Sequence, residues 1–175
     1  NGKWEGWFEN EKKDYEGEYK NGLKDGVWQH WYDNGKQELM QTFLVKTEEK
    51  KEYLKESEKR FAEFNKSQEI SVLDGPHFSW YENGQPKEEG AYLNNVQHGK
   101  WTYYYDDGKK MYEQTFENGR QNGTVTSWYP EGPIESIKVY KNFVPDGKWI
   151  YYEKQAGKIK GTVTYKDGVK VPDVK

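Results

Sequence analysis

Aromatic and polar residues alternate along this chain in short runs, and the runs return on a fixed interval. Each run opens at a glycine: Gly2, Gly26, Gly75, Gly99, Gly123 and Gly147, separated by 24, 49, 24, 24 and 24 residues. The opening phrases are GKWEGWF, GVWQHWY, GPHFSWY, GKWTYYY, GTVTSWY and GKWIYYE. Stretches dense in Trp, Tyr and Thr and bounded by turn residues predict strands. A repeat of this period marks an architecture in which each unit buries its apolar surface only against its neighbours.

Turn chemistry divides each unit in two. Asp33-Asn34-Gly35, Glu82-Asn83-Gly84 and Asp106-Asp107-Gly108 stand between two strand-like runs. Asn-Gly and Asp-Gly pairs in that setting predict type I′ hairpin turns, which need positive φ at both central residues. A second turn follows each returning strand, at Lys20-Asn21-Gly22, Glu117-Asn118-Gly119 and Lys166-Asp167-Gly168. The predicted fold is therefore mainly β: an elongated antiparallel meander of about six hairpin repeats of 24 residues, forming a single repeat domain over 1–175. The returning strands carry Tyr19, Phe43, Tyr92, Phe116 and Tyr140 at one position, with Tyr165 one residue late. The delay matches one extra residue around Gln155-Ala156-Gly157, and the sixth unit reads as a degenerate C-terminal cap.

The doubled interval interrupts the pattern. Thr47 to Glu69 reads TEEKKEYLKESEKRFAEFNKSQE, without Gly or Pro and rich in Glu and Lys. Those are good helix formers, and Thr47 is suited to be an N-cap with Glu48 and Glu49 at the positive end of the dipole. Tyr53, Leu54, Phe61 and Phe64 fall near one helical stripe. An amphipathic helix is expected here, inserted after the second repeat at about 47–71. It is expected to lie across one face of the sheet; the alternative is a protruding element that contacts a partner.

Strand alternation sorts the aromatics onto two faces. Trp7, Trp31, Trp80, Tyr104, Trp128 and Tyr152 form an uninterrupted row, expected to be the structural framework. A second row, of opposite parity, contains Trp4, Trp28, His77, Trp101, Val125 and Trp149 and tolerates exchange from unit to unit. A position that the fold does not dictate is freer to serve recognition. Trp4, Trp28, His77, Trp101 and Trp149 are thus the candidate binding residues, and near-zero accessibility at Trp28, Trp101 and Trp149 would refute that assignment.

Composition narrows the function. Mean hydropathy is -1.28, yet 17% of residues are aromatic, so the apolar surface comes almost wholly from rings and the chain is not of disordered type. A net charge of -3 lacks the basic footprint that nucleic acid or an anionic membrane requires. The chain has no cysteine, which removes disulfides, thiol catalysis and Cys-ligated zinc. No apolar run is long enough to span a bilayer as a helix, and no signal peptide is evident. Cytoplasm and export are both compatible with this; Asn1-Gly2 matches the end of a repeat, so an upstream repeat or leader is expected. His30, His77 and His98 occupy different repeat positions with no metal-binding spacing, and no nucleophile–base pair or phosphate loop occurs. Neither an enzyme nor a metal or cofactor site is expected. Glu16, Glu89 and Glu113 share a repeat position, which is expected to reflect pairing with lysines across strands.

One phrase carries a family resemblance. Tyr15-Glu16-Gly17-Glu18-Tyr19-Lys20-Asn21-Gly22-Leu23-Lys24-Asp25-Gly26 resembles the core of a MORN repeat, Y-x-G-x-Y-x-N-G-x-x-x-G. The full unit with W-x-x-W-Y-x-x-G is similar to the bacterial variant class of these repeats. The chain departs from the pattern at Phe143, where the second glycine is lost, and at Phe43-Leu44-Val45-Lys46, where Y-x-N-G is broken. The resemblance implies a scaffold or binding function. Proteins of the class are often labelled antitoxin components, which implies a partner protein, a toxin, that the chain would neutralise. The alternatives are a carbohydrate- or cell-wall-binding module, or a surface adhesin or secretion accessory.

Overall fold

A computed structural model describes residues 1–49, 67–155 and 157–172. They form fifteen strands. The first repeats contain β1 (Gly2–Trp7), β2 (Lys13–Lys20), β3 (Leu23–Trp31) and β4 (Gln37–Glu49). Then follow β5 (Ser67–Trp80), β6 (Pro86–Leu93), β7 (Val96–Tyr104), β8 (Lys110–Glu117) and β9 (Arg120–Gln121). The last are β10 (Gly123–Trp128), β11 (Ile134–Lys141), β12 (Val144–Pro145), β13 (Gly147–Tyr152), β14 (Ile159–Lys166) and β15 (Val169–Val171). All belong to one open antiparallel sheet in chain order, with β9 on β8 and β12 on β11 as short side pairings. The mainly β meander predicted from the repeat is the observed fold.

Each of the six units uses the same register. The opening glycine pairs with the aromatic of its returning strand, from Gly2 with Tyr19 to Gly147 with Tyr165. The late Tyr165 keeps this register because the loop before it is one residue longer: Glu153 N donates to Lys158 O, whereas Tyr129 N donates to Pro133 O. All six opening glycines have positive φ, from 70° to 126°. Gly26 and Gly99 stand where the entering strand bulges past a single glycine of the strand before, Gly17 or Gly90. A side chain in that backbone conformation would be strained, which is why glycine keeps the interval.

The first turn class does not have the type I′ geometry expected of it. At Asp33-Asn34-Gly35, Glu82-Asn83-Gly84 and Asp106-Asp107-Gly108 only the glycine has positive φ. Gly35 N donates back to Tyr32 O at 2.8 Å, so these are type I turns closed by a left-handed glycine and a bulge. The type I′ geometry belongs to the second class, with positive φ at both Asn21 and Gly22, at Asn118 and Gly119, and at Asp167 and Gly168. Sequence alone does not separate the two, because both take an Asn-Gly pair.

The second repeat has no such turn, and β4 runs on. It pairs with β5 through Thr47↔Glu69 to Glu49↔Ser67. The expected helix is corrected at both ends: Thr47 is a mid-strand residue rather than an N-cap, and Ser67–Ser71 is strand. Without an Asn-Gly pair at Val45-Lys46 the backbone cannot reverse, and Val45 and Thr47 are β-branched residues that suit an extended chain. The helical stripe of Tyr53, Leu54, Phe61 and Phe64 lies outside the described residues.

Phe143 sits at the second central position of a type I′ turn with φ 67° and is 56% exposed. A left-handed non-glycine residue costs about 1–2 kcal/mol. Phe143→Gly is therefore expected to raise stability by about 1 kcal/mol, read as a melting temperature a few degrees higher. A lower melting temperature would show that the ring is held by packing.

Candidate functional site

The register assigns every side chain to a face. One face carries the file Trp4, Trp28, His77, Trp101, Val125 and Trp149, interleaved with the aromatics of the returning strands. Tyr19 packs edge-on between Trp4 and Trp28, with ring centroids 5.5 Å and 5.0 Å away. Tyr92 packs likewise between His77 at 5.4 Å and Trp101 at 5.1 Å, and Trp149 lies between Tyr140 at 5.1 Å and Tyr165 at 4.6 Å. Two of the indoles lie flat on a glycine of the preceding strand. A Cβ on Gly17 would stand 2.2 Å from the Trp28 ring, and one on Gly90 2.3 Å from the Trp101 ring. The three buried indole N–H groups find carbonyls: Trp28 donates to Glu18 O at 3.0 Å, Trp101 to Ala91 O at 3.1 Å and Trp149 to Val139 O at 2.9 Å.

This arrangement corrects the candidate binding residues. Trp101 is 0% exposed, and Trp28, Trp149 and His77 are buried with it. Trp4 alone of the five is exposed, at 55%. The rings vary from unit to unit, yet they are the core, because among the described residues each hairpin has only the adjacent hairpins to bury its rings against. Sequence reasoning took exchange as a sign of freedom, whereas Trp28, His77, Trp101 and Trp149 are all buried in the file despite the exchange of indole for imidazole.

The row Trp7, Trp31, Trp80, Tyr104, Trp128 and Tyr152 lies on the opposite face. A bulge before each of these residues, as between Ser79 and Trp80, sits at the end of the opening strand. Trp7 is exposed and the rest are half-buried, so this row is not the closed framework expected of it. Lysines lie over two of its rings, Lys13 Nζ 5.7 Å from the Trp31 centroid and Lys110 Nζ 5.5 Å from that of Trp128. The expected carboxylate–lysine pairing is present beside them: Lys13 with Glu16 at 2.6 Å, and Lys100 and Lys110 with Glu113 at 2.8 Å and 2.9 Å. The bond from Lys13 holds the Glu16 carboxyl below its usual range. Glu89 instead accepts from Tyr104 Oη at 2.5 Å; burial first, and then that bond, push the Tyr104 phenol up to about 12.

The residue after each row member ties one repeat to the next. Tyr32 Oη donates to Trp80 O at 2.7 Å, Tyr81 to Tyr104 O at 2.7 Å, Tyr105 to Trp128 O at 2.8 Å and Tyr129 to Tyr152 O at 2.9 Å. Phe8 has no hydroxyl to do the same. Each such bond contributes about 1 kcal/mol.

Histidine enters the buried file once. His77 Nε2 donates to Glu88 Oε1 at 3.0 Å, and its Nδ1 faces Gln41 Nε2 at 3.3 Å. Both contacts are satisfied when the ring proton sits on Nε2 and Nδ1 accepts from the Gln41 amide. The hydrogen bond from His77 is the first cause holding the Glu88 carboxyl below its usual range; burial opposes it, and Ser79 is the last of the groups that favour the charge. Near this pair the sheet has a hollow of about 310 Å³ lined by His30, Tyr32, Glu38, Leu39, Ser79, Trp80, Lys87 and Glu88. Sequence reasoning missed it, since only strand register brings Leu39, Ser79 and Glu88 side by side. Among the described residues no cluster of potential metal ligands occurs, and no helix is long and apolar enough to cross a membrane.

Comparison with known families agrees with the repeat. Residues 24–43, 73–94, 97–118 and 121–142 match the model of the MORN repeat variant. The first and sixth units share the register of these four segments although the match does not include them. No curated protein matches the chain.

Two outcomes test this geometry. Trp101→Ala is expected to cost about 3–5 kcal/mol by chemical denaturation, while Trp7→Ala changes stability by less than about 1 kcal/mol. Comparable losses would contradict the division between buried and accessible rows. The second outcome concerns acid. A carboxyl whose folded pKa is depressed contributes stability above its unfolded value and loses it as pH falls through the folded value. The melting temperature is expected to drop below about pH 4.5, and to drop less steeply in Glu88→Gln. A parallel drop in the variant would remove Glu88 from the acid response.

Proposed function

We propose that this array of MORN-type repeats is a non-enzymatic protein that binds another protein along the face carrying Trp7, Trp31, Trp80, Tyr104, Trp128 and Tyr152. The observation that carries the reading is that these rings stay partly accessible while the charges around them are largely paired with each other. Half-exposed Trp and Tyr supply large contact area at low entropic cost, which is why such residues dominate interface hot spots. Pre-paired Glu and Lys side chains lower the ordering cost of association. The chain's net charge of -3 disfavours anionic lipid and nucleic acid as partners. The antitoxin label common in the variant class makes a toxin the first partner to test.

The test is affinity capture from the native source with the whole chain and with a Trp31→Ala/Trp128→Ala variant, followed by titration of the captured protein. The expected result is one stoichiometric protein partner whose affinity falls at least about tenfold in the variant, as loss of interface hot spots produces. Retention of only polysaccharide or cell-wall material would favour the carbohydrate-binding alternative and overturn the reading.

A further inference from the structure

The face that carries the ring row changes character along the array. In the first four units the residues paired with the row members are Lys13, Gln37, Pro86 and Lys110; in the last two they are Ile134 and Ile159. The next line of paired residues changes in the same way. It includes Glu5, Glu16, Glu89 and Glu113 in the earlier units, whereas units five and six place Thr126, Ile137, Ile150 and Thr162 there. Ile134 and Ile159 are 37% and 55% exposed, and Trp128 and Tyr152 beside them are half-buried. A single exposed aliphatic residue needs no explanation, but a contiguous group of isoleucines between accessible rings marks a contact surface.

Charge divides the face at the same place. In the earlier units Glu5, Glu16 and Glu113 are held by Lys3, Lys13, Lys100 and Lys110. Strands β10 to β15 place no Asp or Glu on this face at any paired position. They do place the exposed Lys141, Lys148 and Lys166 there, all on the type I′ turn side of the isoleucines. Among the described residues neither Lys141 nor Lys148 is in an ion pair, and Lys166 meets only its neighbour Asp167, at 3.8 Å. Asp146, which ends the fifth unit, turns its carboxylate to the Asp167 N–H at 3.3 Å. On the type I turn side the charges pair off: Lys154 with Glu131 at 2.8 Å and Lys158 with Glu153 at 3.2 Å. One border of the apolar surface is thus balanced, and the other is positive.

We propose that units five and six form the docking surface for an amphipathic helix of the protein partner, with an apolar stripe over the isoleucines and Asp or Glu along the border that faces the lysines. The two apolar lines lie about 7 Å apart along the strands, within the width of one helix, about 10 Å. Strands β10, β11, β13 and β14 together span about 14 Å, which residues i, i+4 and i+7 of a crossing helix cover. A partner strand would pair at an edge rather than on a face. A wholly neutral partner surface would desolvate the lysines without pairing them, which is costly. This inference rests on the protein-binding reading and adds the part of the face and the chemistry of the partner.

The experiment titrates two labelled peptides into the whole chain by fluorescence anisotropy. Each has about 15 residues, enough to form a helix, with leucines at i, i+4, i+7 and i+11. One carries glutamates along the border of the stripe, and the other carries lysines. Saturable binding of the glutamate peptide is expected, with the lysine peptide at least about tenfold weaker. Raising salt from about 50 mM to about 500 mM is expected to weaken the glutamate peptide several-fold. Ile134→Ser/Ile159→Ser is expected to weaken it about tenfold or more. Lys141→Glu/Lys148→Glu is expected to reverse the preference between the peptides. Both double variants change exposed side chains and are expected to keep the melting temperature of the parent. No saturable binding of the glutamate peptide, equal binding of the two peptides, or unchanged binding in both double variants would overturn the proposal. A dimer that dissociates in Ile134→Ser/Ile159→Ser while neither peptide binds would give the surface to a second copy and overturn it too. Vesicles of phosphatidylserine that bind the chain and displace the glutamate peptide would give it to a membrane, with the same consequence. If the peptides fail while partner capture still depends on Trp31 and Trp128, this inference falls and the protein-binding reading stands.

Discussion

An indole laid on the bare backbone of the hairpin before it is the interaction on which this fold depends. The described residues form a single sheet, and among them no second layer covers its apolar face. The rings must exclude water by covering one another along the sheet, and they can lie low enough only where the strand beneath has no side chain. Gly17 under Trp28 and Gly90 under Trp101 meet that condition, and any Cβ there would collide with the ring. The indole N–H then bonds the carbonyl next to the covered residue, so the packing leaves no buried donor unpaired. Trp149 achieves the same bond over Lys138, whose Nζ stands 5.5 Å from its ring, so a long flexible side chain replaces the empty space.

Everything else keeps adjacent hairpins at the distance this packing requires. The opening glycines let each strand bulge past its neighbour, which puts the ring over the right residue. The tyrosine bonds tie the type I turn end of one unit to the next, and the Asn34 and Asn83 amides donate to Glu82 O at 3.0 Å and Asp106 O at 2.6 Å. At the other end the type I′ turns stack, Gly119 N donating to Gln97 O at 3.1 Å and Phe143 N to Gln121 O at 2.9 Å. Each bond is modest alone, but they recur in register, so stability accumulates along the array as nearest-neighbour terms.

The third repeat departs most from this plan. His77 replaces the indole, Glu88 replaces a tyrosine or a small residue, and Ser79 and Leu39 leave the line of rings open. Histidine keeps the file closed because Glu88 and Gln41 satisfy both of its nitrogens. The exchange carries charge into the sheet and leaves a hollow on the face of the buried file, directly after the interrupted repeat. Departure from the repeat consensus thus gathers in one place, where a repeat protein can acquire selectivity without loss of its shared scaffold.

The glycine interval and the turn residues determined the meander, its six units and their order from sequence alone, because strand alternation and reversal are local backbone properties. The same local logic read the late Tyr165 correctly. It could not tell which aromatic row is buried, since both rows alternate with the same period and only the register between strands shows which ring covers a glycine. It assigned type I′ geometry to the wrong turn class, because both classes carry Asn-Gly and bulge position separates them. It placed a helix start at Thr47, where pairing between β4 and β5 overrides helix propensity. The hollow near Ser79 was invisible for the same reason: its walls are 40 residues apart in sequence at Leu39 and Ser79, and only cross-strand pairing makes them neighbours. Local chemistry decided the elements, and the register of one strand against the next decided what is buried, what is exposed and what is left open.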